Sequence, residues 1–270
     1  MKFTLLADLQ DVAGFTGEFG LSLQIEYSGE KFLFDTGADD AFLLNSAKLG
    51  LDVSRLPVIL SHGHYDHSGG LQYLSPALIR CVRSVDCGHY SCHADGTVHY
   101  ISMPFASQRV LHDGNVFAVD DFSAVGNGLY LTGPIPRNSG EDCGGNFFHD
   151  AQCLTPDEIP DEQALLTSGG ILVTGCCHAG IINTMEFCRT AHPEIKIHSI
   201  VGGLHLCHAG EKRLHRTAEY LKEAGVKQLY LLHCTGENAI RFLQHNLPEC
   251  RIFTPALGEI WEIADSGEER

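Results

Sequence analysis

The chain has 270 residues, of which 44% are hydrophobic and 19% are charged, a composition that is ordinary for a globular protein. Its formal net charge of −16 argues against sequence-independent binding to DNA or RNA, which needs a basic surface. The sequence offers no apolar run long enough to span a bilayer, and the charge of Asp8 comes too early for a signal-peptide core, so we expect a cytoplasmic protein with no membrane partner.

The first half of the chain shows strand patterns separated by turns. Residues 20–27 alternate apolar and polar side chains, and residues 31–34 follow after a short turn, so both are predicted strands. Residues 39–49 predict a helix that ends at Gly50. Residues 57–60 form a short apolar strand, and further strand-like pieces lie at 97–102, 115–120 and 128–132.

A dense group of metal-binding residue types follows the short apolar strand. Residues 61–70 read Ser-His-Gly-His-Tyr-Asp-His-Ser-Gly-Gly, and imidazole and carboxylate are good ligands for zinc, iron and manganese. His62 and His64 lie two residues apart, so they point the same way on an extended strand end. Asp66 and His67 come one turn later and can face a second ion. Core packing does not explain this group, because it would leave many polar atoms unpaired.

The second half of the chain alternates strands and helices more regularly. Predicted strands cover 170–174, 196–201 and 227–232, the helices after them cover 179–191, 211–224 and 236–245, and two last strands cover 250–253 and 259–263. A histidine follows each of the first three strands, namely His178, His205 and His233. Because each strand leads into a helix, the three imidazoles should project from one edge of a sheet.

Strands and helices are mixed in both halves, which indicates two sheets packed face to face with helices outside. No linker is evident, so residues 1–270 are predicted to form a single domain. The stretches 83–95 and 138–162 are rich in Gly, Pro, Asp and Ser and are predicted to be long loops, which are often functional.

His-x-His-x-Asp-His after a short strand resembles the signature of the metallo-β-lactamase superfamily, and Asp35-Thr36-Gly37 resembles an earlier motif of that family. Longer stretches are similar to the branch named for 7,8-dihydropterin-6-yl-methyl-4-(β-D-ribofuranosyl)aminobenzene 5'-phosphate synthase, a step of methanopterin biosynthesis. They are residues 20–23, 61–71, 132–137, 161–165, 175–183, 202–206 and 233–236. The resemblance implies an α/β fold, the four-layer αββα metallo-β-lactamase sandwich.

The resemblance also implies a dinuclear metal centre. The family assigns His62, His64 and His178 to one ion, and it assigns Asp66, His67 and His233 to the other. Asp35 would orient the loop that carries the ligands. We therefore expect two divalent metal ions as cofactors, with zinc preferred over iron or manganese.

The chain departs from the family pattern at the ligand that normally bridges the two ions. That ligand is an aspartate, and no aspartate occurs between Ala179 and Leu232. His205 stands near the expected position. Either His205 replaces the bridge, or one site is weak, or the centre is mononuclear.

These residues predict a metal-dependent hydrolase that attacks a phosphate-containing or ester-type small molecule through a metal-bound hydroxide. Asp66 would also orient the nucleophile as a catalytic residue, and Arg137 would anchor a phosphate or carboxylate unless it is a solvated loop arginine. The alternatives are a synthase-like transferase that uses the metals as Lewis acids, a di-iron redox protein, and a non-enzymatic binding protein on the same scaffold.

The remaining cysteines and histidines support no further prediction of a site. The 11 cysteines are odd in number and include no Cys-x-x-Cys pair, so a disulfide framework is not expected. Cys234 is interpreted as a packed side chain rather than a thiol at the metals, and Glu18 as a residue that could reach the pocket. Chance clustering is the preferred explanation for Cys81, Cys87, His89, Cys92 and His93.

Overall fold

The structure is a computed structural model that describes residues 1–265. Its strands are β1 (Lys2–Ala7), β2 (Ser22–Tyr27), β3 (Glu30–Phe34), β4 (Val58–Ile59), β5 (Ile79–Cys81), β6 (Tyr90–Cys92), β7 (Val98–Tyr100), β8 (Val116–Ala118), β9 (Ser123–Gly126), β10 (Leu129–Leu131), β11 (Phe147–Phe148), β12 (Leu165–Thr167), β13 (Ile171–Thr174), β14 (Ser199–Gly202), β15 (Gln228–Leu231), β16 (Arg251–Phe253) and β17 (Ile260–Glu262). Its helices are α1 (Ala41–Lys48), α2 (Tyr65–Ser68), α3 (Phe105–Asp113), α4 (Ile181–Ala191), α5 (Glu211–Glu223) and α6 (Glu237–Asn246).

The first sheet carries the 61–70 loop at one edge. Its strand order is β17-β1-β2-β3-β4-β5-β8, antiparallel from β17 to β3 and parallel from β3 to β8. Because β3 and β4 are parallel neighbours, their carboxyl ends lie side by side. Asp35 follows β3, the 61–70 loop follows β4, and the Asp35 backbone N–H donates to the Ile59 carbonyl at 2.9 Å.

The second sheet carries the three later histidines. Its strand order is β16-β15-β14-β13-β12-β10-β9, and β13, β14, β15 and β16 run parallel. Thr174 at the end of β13 pairs with Gly202, which in turn pairs with Leu231 of β15. The loops that carry His178, His205 and His233 therefore leave the sheet at the same edge, as the strand–helix alternation predicts.

The apolar side chains form three separate cores, which define four layers. Neighbouring residues on a strand face opposite sides of a sheet, so Leu172 and Val173 pack into different cores. Helices α4, α5 and α6 cover the outer face of the second sheet, where the core includes Leu172, Met185, Ile200, Leu221 and Leu243. Between the sheets lie Phe3, Leu23, Phe34, Val173 and Val201. Helices α1 and α3 cover the outer face of the first sheet, where the core includes Leu33, Phe42, Val58 and Leu111.

This arrangement is the predicted αββα sandwich, so the expected fold is confirmed. Of the predicted domain 1–270, residues 266–270 lie outside the described residues. Within residues 1–265 the structure has no helix that is long and apolar enough to cross a membrane.

The two stretches predicted to be long loops contain short strands, so that prediction was wrong in part. β6 lies in 83–95, β11 lies in 138–162, and both join β7 in a three-stranded sheet of order β11-β6-β7. Strands of two or three half-exposed residues give no clear alternation in the sequence. Helix α3 was missed because only Ser107 and Leu111 on it are buried, and β1 was missed because it is buried on both faces.

Replacement of Leu23 by Ala should destabilise the fold by about 2–5 kcal/mol, because it leaves a cavity in the core between the two sheets. Leu23 is fully buried there. The free energy of unfolding from urea titration measures the effect. Leu44→Ala is the matched control on helix α1, since Leu44 is 46% exposed and should change the same quantity by less than about 0.5 kcal/mol. Equal losses in the two variants would contradict the assignment of this core.

Candidate metal centre

Three of the predicted ligands, His62, His64 and His178, come together from two different sheets. Their ring centroids lie 4.5 Å apart for His62 and His64, and 4.8 Å apart for each of these and His178. One nitrogen of each ring lies within 4.8 Å of the other two, and all three side chains are buried. This is the trio predicted for the first ion.

The second predicted trio, Asp66, His67 and His233, also converges. Asp66 Oδ2 lies 3.2 Å from His233 Nε2 and 3.6 Å from His67 Nε2. The Cys176 thiol completes this group, with Sγ 3.1 Å from His67 Nε2. The two groups adjoin, since the ring centroids of His62 and His67 are 4.2 Å apart. The sequence analysis gave Cys176 no role, although it lies two residues before His178 in the 175–183 stretch.

His205 lies beside the first group without joining its trio. Its ring centroid is 4.5 Å from that of His178, and its ligand nitrogen groups with those of His178 and Cys176. It adopts a left-handed backbone conformation with φ of 49°. Among the described residues, the ligand groups that contain Asp66 do not include His205.

Asp35 holds the ligand loop with both carboxylate oxygens. Oδ1 accepts the Ser61 backbone N–H at 2.7 Å, while Oδ2 accepts the Ser61 hydroxyl at 2.7 Å and lies 2.7 Å from His67 Nδ1. Ser61 Oγ is also 2.9 Å from His62 Nδ1. These bonds leave the Nε2 atoms of His62 and His67 facing the centre, which is how carboxylates orient metal-bound imidazoles.

Residues 161 and 162 tie the two halves of the site together, and sequence reasoning gave neither of them a role. The Gly63 backbone N–H donates to Asp161 Oδ2 at 2.7 Å. The backbone N–H groups of His178 and Ala179 donate to the two Glu162 oxygens, each at 2.6 Å. One dipeptide therefore fixes both the 61–70 loop and the loop after β13. Its only signal in the sequence was its place in a motif of the resembling branch.

Asp8 fixes the third ligand loop from the N-terminal strand. The His233 backbone N–H, at φ of 49°, lies 3.2 and 3.3 Å from the two Asp8 oxygens. Nothing in the sequence signals this contact, because Asp8 and His233 are 225 residues apart.

Two glycines permit the close approach of the ligand loops. A Cβ atom on Gly63 would lie 1.8 Å from the Val85 carbonyl oxygen, and one on Gly175 would lie 2.0 Å from Ser61 Oγ and 3.0 Å from Asp35 Oδ2. Any side chain at either position must displace the backbone or the Asp35–Ser61 contacts.

The buried polar atoms test whether a metal fits this site. Within residues 1–265, His62 Nε2, His64 Nε2 and both ring nitrogens of His178 are buried and have no hydrogen-bond partner. A buried polar atom without a partner costs free energy, about 1–3 kcal/mol each. Imidazole nitrogens are zinc, iron and manganese ligands, so a cation would satisfy them. The residues therefore fit a bound metal.

The charges of the metal-free protein lead to the same conclusion. Burial lowers the pKa of His64 to about 3 and lowers the pKa of His62 and His178 well below the ordinary value, so these rings are neutral and offer lone pairs. Burial opposes protonation of His233, but the contact with Asp66 and the charges of Cys234, Asp66 and Asp8 together raise the pKa of His233 to about 9. A proton thus occupies the place where a cation would sit.

Arg137 and two phenylalanines border the site. The Arg137 guanidinium donates to the Glu158 carbonyl. Burial raises the pKa of Glu162 to about 7, and the positive charge of Arg137 opposes that rise. Burial lowers the pKa of His178 well below its ordinary value, and the Arg137 charge adds to this effect. The Phe147 ring lies 5.5 Å from His64 and 5.1 Å from His178. Phe19 is 54% exposed and lies 5.4 Å from His233.

The other residues weighed in the sequence belong to neither trio, although the His89 ring lies 5.1 Å from that of His64. The Glu18 carboxylate accepts the Asp39 backbone N–H at 3.0 Å, at the Asp-Thr-Gly loop. The residues of the Cys/His-rich stretch lie in different places. Cys81 is in the core under α1 and α3, and His93 packs on His99. Cys87 and His89 lie next to Asp161. His89 Nδ1 is 2.5 Å from Asp157 Oδ2, and His89 Nε2 is 3.3 Å from Asp161 Oδ1, the residue that also holds Gly63.

Comparisons with known proteins agree with the fold. The family model of the metallo-beta-lactamase superfamily matches residues 16–136. An uncharacterized protein of Methanocaldococcus jannaschii is 27% identical over 87% of this chain and 91% of its own length. The 7,8-dihydropterin-6-methyl-4-(beta-D-ribofuranosyl)-aminobenzene-5'-phosphate synthase of the same organism is 25% identical over 89% of this chain and 90% of its own length.

Solved structures give the same result. The crystal structure of a metal-dependent hydrolase of the beta-lactamase superfamily has a TM-score of 0.85 and 29% identity, and the match covers 98% of this chain and 99% of that one. A diphosphatase from the PhnP family has a TM-score of 0.54 at 13% identity, covering 97% of this chain and 98% of that one, which shows a shared fold alone.

Replacement of Asp35 by Asn should lower metal affinity by roughly 10–100-fold, because it removes the carboxylate that orients His67. Competition with a chromophoric chelator measures the affinity. Asp52→Asn is the control, since Asp52 is exposed and accepts hydrogen bonds from Ser54 alone in the described structure. An unchanged affinity in the Asp35 variant would show that His67 is not a ligand.

Metal affinity should rise with pH, because an ion must displace the proton that His233 holds in the metal-free protein. The pKa of His233 is raised to about 9, so the affinity should rise from neutral pH to at least about pH 9. Titration calorimetry in two buffers of different ionisation enthalpy counts the protons released. Release of no proton at pH 7 would contradict this coupling.

Proposed function

We propose that this chain, whose resemblance to the metallo-β-lactamase superfamily is confirmed by the family model, the relatives and the fold, is a metal-dependent hydrolase of a small molecule. Its substrate is phosphate-containing or ester-type. We further propose that its cofactors are two divalent ions, with zinc preferred over iron or manganese. We propose that the chain forms a single domain that acts in the cytoplasm and has no nucleic-acid or membrane partner.

The convergence of two adjoining ligand trios carries this proposal. His62, His64 and His178 would hold one ion, and Asp66, His67 and His233 would hold the other. His205, beside His178, is kept as a further predicted ligand. The buried and unpartnered imidazole nitrogens support metal binding over a purely structural role, because such nitrogens are costly in a core.

Bound divalent ions would supply Lewis acidity and lower the pKa of a water molecule toward neutrality. The residues of the chain do the positioning. Asp66 Oδ2 faces both His67 and His233 and is placed to orient a nucleophile. Arg137 is placed to bind a phosphate or carboxylate, since its charge already acts on Glu162 and His178. Phe147 lies over the His64 and His178 rings and shields that side from water.

A second candidate is a transferase like the dihydropterin relative, and one feature favours it. Phe19 is exposed and stacks on Tyr65 beside His233, and the half-buried Phe147 ring lies next to those of His64 and His178. A planar ring such as a pterin stacks well on such faces. In that reaction the same ligands would activate a pyrophosphate leaving group. A di-iron redox protein and a non-enzymatic binding protein are the remaining outcomes of the test below.

Replacement of His64 by Ala should reduce bound metal from two ions toward one. It should also lower the turnover of a chromogenic phosphodiester, thioester or lactone by at least about 100-fold, because loss of a ligand should cost more than the roughly 10–100-fold lost when a residue that orients a ligand is replaced. Elemental analysis of the purified protein and initial rates measure the two effects. His245→Ala, an exposed histidine at the end of α6, is the control and should change neither.

Unchanged metal and an unchanged rate in the His64 variant would refute the proposal. Two bound ions with no turnover of any member of the panel would favour the binding protein, whereas turnover only of a pterin pyrophosphate with an aminobenzene acceptor would favour the transferase. Iron with a visible absorption band would favour the redox protein.

A further inference from the structure

We infer that the Cys176 thiol supplies a metal ligand shared by the two trios, in a chain that offers no aspartate between Ala179 and Leu232. The inference rests on the metal centre of the proposed function and deepens it. It changes the donor set from imidazole and carboxylate alone to one that includes sulfur.

Cys176 is the residue that the two halves of the centre share. Its Sγ groups with the ligand atoms of Asp66, His67 and His233, and it groups separately with those of His178 and His205. In each group all of the ligand atoms lie within 4.8 Å of one another, and Sγ is 3.1 Å from His67 Nε2. One donor atom thus reaches the second trio and also the imidazole that completes the first.

The backbone after β13 aims this thiol at the centre. Cys176 and Cys177 are consecutive and both are buried, yet they serve different regions. Cys177 has a left-handed φ of 62°, packs in the core under α4 and α6, and places its Sγ 3.6 Å from Thr184 Oγ1. Cys176 points to the ligands. Glu162 fixes this turn through the backbone of His178 and Ala179.

The rival donors are less well placed. His205 groups with His178 and Cys176 but not with Asp66, so it cannot span both trios from its position. Cys234 donates through its Sγ to the Cys176 carbonyl at 3.5 Å and, within residues 1–265, belongs to none of the ligand groups. Thiolate is a preferred zinc ligand and adds a second negative charge to a trio in which Asp66 is the only carboxylate.

The test is the absorption spectrum of the full-length protein loaded with Co²⁺ in place of its own metal. A cobalt–thiolate bond gives a near-ultraviolet charge-transfer band that imidazole and carboxylate ligands do not give. We expect the band in the natural protein and in Cys177→Ala, the matched buried neighbour. We expect it to vanish in Cys176→Ala, together with at least a tenfold loss of affinity for the second ion.

Cys176→Asp provides a second arm that does not depend on removing a ligand. The carboxylate restores the donor type of the family, so this variant should bind two ions and lack the band. Two bound cobalt ions without a band in the natural protein, or a band that survives in Cys176→Ala, would overturn the inference and leave the proposed hydrolase intact. A band that behaves as expected in a protein without turnover would leave the inference intact and refute the hydrolase instead. A natural protein that binds no cobalt would overturn both.

Discussion

The structure depends on the cost of burying imidazole nitrogens that have nothing to bond to. His62, His64 and His178 are packed ring against ring away from water, and within the described chain their inward nitrogens lack partners. A fold tolerates buried nitrogens without partners only if another interaction offsets the free energy lost when they leave water. The backbone and side-chain bonds from Asp35, Asp161 and Glu162 impose the arrangement, and a cation is the species that would make it favourable.

The two sheets divide the task of building the centre. The first sheet supplies a loop of consecutive ligands after β4, held against β3, and the second supplies one histidine from each of three parallel strands. Parallel pairing explains why residues so distant in the chain meet, because the ends of parallel neighbours share an edge. Asp161, Glu162 and Asp8 have a structural role, because each accepts backbone N–H groups from a loop that bears a ligand.

Much of this could be predicted from the sequence, and the remainder depended on contacts that leave no local pattern. The strand–helix alternation after residue 170 gave β13, β14 and β15 and the shared edge of His178, His205 and His233. The mixture of strands and helices indicated two packed sheets with helices outside, and the resemblance carried by motifs implied the four-layer sandwich. Short strands such as β6 and β11 could not be predicted, because two or three half-exposed residues show no periodicity. The roles of Asp8 and Glu162 could not be predicted, because their hydrogen bonds are to backbone groups far away in the chain. The place of Cys176 beside His67 and Asp66 could not be predicted, because packing explains a buried pair of cysteines equally well.

The separation of the ligands along the chain has a consequence for the whole protein. His62 and His178 belong to different sheets and are 116 positions apart by their numbers, and an ion held by their trio would act as a cross-link between those sheets. Such a link exists only in the native state, because the ligands disperse when the chain unfolds. At a free concentration of about 1,000 times its dissociation constant, an ion of this kind adds about 4 kcal/mol to thermodynamic stability. Metal supply would then govern how long the protein survives in a cell as well as whether it reacts.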